Sequence, residues 1–136
     1  MLPFVLIARF ITRMLLASLF LFAGAVHLTR PALFLPVMPP AIPFPLFCII
    51  ASGVCELLGG IGLLLPKIVS LTLTGWCLIT LLVAVFPANI YMATNHVQLP
   101  GLSIPSWLEW IRLPFQPLLI LAVLWSTGIW PKPSKA

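Results

Sequence analysis

Five polar side chains stand in or beside otherwise apolar stretches: His27, Glu56, Asn89, Arg112 and Gln116. A carboxyl and an imidazole held away from water can hydrogen-bond to each other, hold the polar head of an amphipathic ligand, or pass a proton between them. Amides add neutral donors and acceptors, and a guanidinium adds a permanent cation. Other chemistries need spacings that this chain lacks. His27 and His96 do not stand in HExxH or any other metal-ligand spacing, and a haem between them would require His96 to fold back from a loop. No phosphate-cradling glycine loop, nucleophile elbow or dinucleotide fingerprint occurs. Cys48 and Cys55 are seven apart and share a helix face, but without a CxxC they read as small core residues rather than a redox pair. With Cys77 they make an odd number of thiols in apolar surroundings, which argues against a disulfide framework.

The elements that must position these groups follow from composition. Of 136 residues 62% are hydrophobic and 7% charged, against roughly 45–50% and about 25% in a soluble domain. An ordinary soluble protein is excluded. A membrane span needs about 20 mainly apolar residues, so the length holds four spans with their loops and little else. Apolar stretches at 10–28, 46–65, 68–86 and 114–130 fit that number, and the expected fold is all-α, a single four-helix transmembrane bundle over residues 1–136. In this reading the prolines lie between the spans, with Pro114 and Pro117 in the first turn of the fourth, where backbone N–H groups have no helical partner.

Between the first two spans, six of the 15 residues from Pro31 to Pro45 are proline, which forbids a long helix. Phe34, Leu35, Val37, Met38, Ile42 and Phe44 make the segment too apolar for a solvated loop, so this proline-rich outer loop is expected to form an ordered cap in the interface. The turn Pro66-Lys67 is short enough to make the second and third spans antiparallel neighbours.

An even number of spans gathers Arg9, Arg13, Lys67, Lys132 and Lys135 on one side and leaves Arg30 and Arg112 on the other. By the positive-inside rule the richer side is cytoplasmic, with both termini there, in an inner (plasma) membrane. Tyr91, Trp107 and Trp110 then fall near the outer interface and Trp125 and Trp130 near the inner one. Seven scattered basic residues form no stripe for nucleic acid. A competing reading of the start, a basic stretch, an apolar run and Ala23-Gly24-Ala25, is a cleaved signal peptide.

Depth along the helices brings two of the polar residues together. Glu56 is 11 residues from Lys67, about 16 Å up a helix and close to the midplane. A charge there costs roughly 2.5–3.5 kcal/mol on the insertion scale, so Glu56 must face the bundle interior. His27, 14 residues after Arg13, sits about 21 Å up the first span. Helical side chains lean toward their own N-terminus, so on antiparallel helices these two lean toward each other. The pair is either helix glue, worth about 0.6 kcal/mol, or part of a ligand pocket. Asn89, Gln116, Arg112 and Arg30 extend a polar funnel outward, or else serve as caps and snorkelling groups. Arg112, read as opening a helix, needs an acidic partner such as Glu109 or Glu56. Ser52, Gly53, Gly59, Gly60 and Gly62 permit close helix approach around Glu56.

The segments AGAVHLTRPALF (23–34), VMPPAIP (37–43), SGVCELLGGIGLLLP (52–66), FPANIYMA (86–93) and RLPFQ (112–116) occur in this order. Together they resemble the DoxX-like family of small four-helix membrane proteins. The resemblance implies that His27, Glu56, Asn89, Arg112 and Gln116 occupy the family's recurrent polar positions. It also implies relatives of several kinds: membrane subunits of quinone-linked oxidation, companions of oxidative-stress proteins, and distant assembly factors. This chain has Leu28 after His27, where the family usually has an aromatic residue. The leading expectation is a redox-accessory membrane protein that binds a quinone, lipid or similar amphipathic molecule, with electrons supplied by a partner protein. The alternative is an assembly or scaffolding protein whose polar cluster is structural. A transporter acting alone would need oligomerisation, and a homo-oligomer is compatible with either of the first two readings.

Overall fold

Each span is apolar on most of its surface, and in hydrocarbon a helix satisfies its backbone groups within the segment, so the helices form where the apolar runs extend. In the computed structural model, which describes residues 2–132, α1 covers Leu2–Thr29, α2 Pro45–Leu64, α3 Leu71–Asn95 and α4 Ser106–Ser126, with a short 3-10 helix, η1, over Pro31–Val37. All four long helices are long and apolar enough to cross a membrane, and no strand occurs among the described residues. Lys135, counted above with the basic side, lies outside them.

α1 packs along α2, α2 on α3, α3 on α4, and α4 returns to α1, which is the expected four-helix bundle. The buried seams have near-heptad spacing: Ile49, Gly53, Glu56, Gly60 and Leu63 on α2, and Glu109, Gln116 and Val123 on α4. Leu16, Ala17, Phe20, Leu63, Leu78, Leu82 and Val123 form the apolar core. Acyl chains are as apolar as leucine, so close packing rather than water exclusion holds such helices together, and small residues set the approach. A Cβ on Gly24 would lie 2.7 Å from the Gly53 carbonyl oxygen, and one on Gly60 3.2 Å from that of Ala17. η1 contacts α1, α2 and α3 and closes the end of the bundle that holds His27. It is the ordered cap expected of the proline-rich segment.

Three helices differ in their boundaries from the sequence reading. α1 begins at Leu2 rather than at residue 10, because the preceding residues continue the apolar helix and Pro3 falls in its first turn. α3 begins at Leu71, capped by the Ser70 hydroxyl, which accepts from the Leu73 N–H, and runs through Pro87 to Asn95. α4 begins two turns before residue 114, so Pro114 and Pro117 are interior rather than first-turn residues, and it ends where Gly128, at φ 74°, turns the chain. Inside a membrane bundle the backbone groups that a proline frees are met by neighbouring helices. Gln116 of α4 donates to the Leu82 carbonyl, beside the break that Pro87 makes in α3. The cysteine reading is also corrected. Cys55 and Cys77 are exposed on the bundle's outer surface and Cys48 is half-buried, since the inner positions of α2 are taken by Gly53, Glu56 and Gly60.

Candidate functional site

His27 lies on the stripe of α1 that carries Phe20 and Gly24, and Glu56 lies on the α2 seam between Gly53 and Gly60. Gly53 has the His27 Cβ against it, at 2.8 Å from where its own Cβ would stand. The missing side chain lets the two backbones approach, and His27 Nδ1 meets Glu56 Oε2 at 2.6 Å. That is short for a nitrogen–oxygen hydrogen bond. The side chains keep 20% and 11% of their exposure respectively, so the pair is at the bundle wall rather than sealed within it. Phe34 of η1 packs edge-on to the imidazole, with ring centroids 4.3 Å apart. Leu28 leaves the adjacent position without a ring, and the η1 cap supplies one from seven residues away in sequence.

A second cluster joins α3 to α4. Asn89 Nδ2 donates to Gln116 Oε1, and Gln116 is buried with its amide nitrogen on the Leu82 carbonyl. Arg112 Nη2 donates to Asn89 Oδ1 at 3.3 Å, and its Nη1 lies 3.1 Å from Met92 Sδ. Asn89 is therefore interior to α3 rather than at its end, and Gln116 and Arg112 are well inside α4. Among the described residues no carboxylate pairs with Arg112. Its position two turns into α4 removes the conflict with the helix dipole, which is confined to the first turn. Of the five expected residues, the structure joins His27 with Glu56 and joins Asn89, Arg112 and Gln116. No hydrogen bond or ion pair among the described residues links the two groups. Arg30, the rim residue of the expected funnel, is exposed.

Glu109 forms a third cluster that the sequence reading considered only as a partner for Arg112. It is 1% exposed, meets His96 Nδ1 at 3.2 Å and accepts from Gln98 Nε2 at 2.8 Å. Gln98 also donates to the Ile104 carbonyl at 3.0 Å and accepts from the Ile104 N–H at 2.6 Å, so one side chain clamps the loop between α3 and α4. His96 caps α3 in the left-handed conformation at φ 50°, which aims its ring back across that loop. The signal for Glu109 was present in its spacing: it stands seven residues before Gln116, on the same seam. In the first turn of α4 it also complements the helix dipole.

The three clusters share one end of the bundle, where α1 and α3 finish and α2 and α4 begin. The open cleft of about 570 Å³ that borders Arg13 and Lys67 is at the other end. Fold and polar end together define a small multi-pass membrane protein with hydrogen-bonded polar clusters inside its helical wall. The sequence over residues 16–127 matches the family described as a domain of unknown function, DUF8561, and the chain belongs to that family. No curated protein and no solved structure matches it.

Proposed function

We propose that this is a DoxX-like redox-accessory membrane protein whose His27–Glu56 pair holds the polar head of a quinone, lipid or similar amphipathic molecule. The observation that carries the reading is the short carboxyl–imidazole contact at a partly open wall of the bundle. A head bearing a carbonyl or hydroxyl can exchange hydrogen bonds there while its tail stays among the acyl chains. An imidazole and a carboxyl in contact also offer a proton to a quinone being reduced, with the electrons arriving from a partner protein. Arg112, with guanidinium hydrogens beyond those given to Asn89 and Met92, provides a cation at the same end. Asn89 and Gln116 hold Arg112 and the α3–α4 contact in place.

The basic end, with Arg9, Arg13, Lys67 and Lys132, faces the cytoplasm of an inner membrane in this proposal. Reporter fusions in the 96–105 loop and after residue 132 test that orientation. Ligand binding is tested by native mass spectrometry of gently extracted protein, followed by titration with a soluble quinone. A retained small molecule and quinone binding are expected in the natural chain and their loss in Glu56→Gln. No bound molecule in either protein, with unchanged quinone titration, overturns the proposal. Loss of partner proteins from Glu56→Gln with no change in small-molecule signal would favour the assembly reading instead.

A further inference from the structure

At the end of the bundle opposite the histidines, the start of α1 and the α2–α3 turn enclose a cleft of about 570 Å³. Phe10, Met14, Leu64 and Ile68 give it apolar walls, and Arg13 and Lys67 place two cations on it. Among the described residues these cations have no protein counter-charge. The chain has two acidic residues, Glu56 and Glu109, and each is engaged by a histidine in the other half of the bundle. Arg13 lies over the Phe10 ring at 5.6 Å, and its Nε is buried without a hydrogen-bond partner among the described residues. Two such cations beside an apolar wall suit a ligand that carries both a negative charge and a hydrocarbon tail.

From this we infer that the cleft binds an anionic glycerophospholipid of the adjoining leaflet, its phosphate held by Arg13 and Lys67 and the upper part of one acyl chain lying against Phe10, Met14 and Leu64. The charge selects the headgroup, and the walls select a molecule with a tail over a free anion. This site is independent of the His27–Glu56 pair and stands or falls separately from it.

The test uses the full chain in neutral micelles, with dioleoylphosphatidylglycerol and dioleoylphosphatidylcholine compared by native mass spectrometry. The anionic lipid should be retained preferentially. Neutralising both cations (Arg13→Gln with Lys67→Gln) should weaken its retention about 30-fold, or about fivefold for each charge removed. The exchange Arg13→Lys with Lys67→Arg keeps both charges and should keep most of the binding, and Arg30→Gln at the far end should change nothing. In the natural chain, a photoreactive acyl chain on phosphatidylglycerol should label residues 10–14 and 64–68, a readout that needs no variant. Equal retention of the two lipids, binding that survives the double neutralisation, or labelling elsewhere overturns the inference. So does displacement of the lipid by millimolar inorganic phosphate, which would make the site one for a free anion.

Discussion

The approach of α1 to α2 is set by glycines whose neighbours are backbone, and Gly24→Ala tests whether that approach creates the His27–Glu56 contact. The new Cβ would stand 2.7 Å from the Gly53 carbonyl oxygen, 2.9 Å from Leu57 Cγ and 3.0 Å from the Leu57 nitrogen, where ordinary contact begins at 3.4 Å. Two of these atoms are main chain in the middle of a helix and cannot rotate away. The helices must therefore separate locally by several tenths of an ångström, one turn below His27. Added to a pair now at 2.6 Å, that displacement lengthens and weakens the contact. Overpacking costs about 1–3 kcal/mol, and a polar contact between membrane helices is worth about 0.6 kcal/mol on average. Gly24→Ala should thus lose about 2–3 kcal/mol in reversible unfolding from mixed micelles, and its quinone affinity should fall with it. Val54→Ala, an exposed neighbour of Gly53 on the outer face, should stay within about 0.5 kcal/mol of the natural chain. If Gly24→Ala unfolds like Val54→Ala and binds quinone normally, the glycine contact does not govern the pair and the reasoning is wrong.

Glu56→Gln keeps the side-chain shape and one acceptor, so its unfolding free energy should change by no more than about 1 kcal/mol while ligand retention is lost; a large stability loss with binding intact would assign the pair to packing. Gln116→Leu strips the Leu82 carbonyl and Asn89 of a buried partner and should cost about 1–3 kcal/mol in the same unfolding assay. Gln98→Ala removes the clamp on Ile104 and one of the two partners of buried Glu109. Hydrogen exchange at Ile104, whose N–H the clamp now holds, should accelerate without global unfolding, and limited proteolysis should move to the 96–105 loop.

Much of this architecture was readable in one dimension. Four apolar runs gave four helices, and the depth count from Arg13 and Lys67 brought His27 level with Glu56 because side chains on antiparallel helices lean toward each other. The run of small residues around Glu56 announced a close interface. The helix ends were harder. Pro87, Pro114 and Pro117 look like boundaries to a reader who charges each proline with a broken helix, yet α3 and α4 run through them. Arg112 reads as opening a helix that in fact starts at Ser106, although the seven- and four-residue spacing of Glu109 and Arg112 to Gln116 already marks a longer helix with a polar seam.

Composition and the length of the apolar runs alone determined that the chain belongs in a bilayer as an all-α bundle with a carboxylate turned inward, since hydrocarbon tolerates neither an open backbone nor a stray charge. Tertiary structure decided which polar groups meet. The division into a His27–Glu56 pair, an Asn89–Arg112–Gln116 cluster and a His96–Gln98–Glu109 clamp depends on the rotation and axial offset of each helix. Those are set by glycine-to-backbone contacts and by the η1 cap that delivers Phe34 to the imidazole. Such contacts join residues distant in sequence, and no local pattern in the chain encodes the rotation that brings them together.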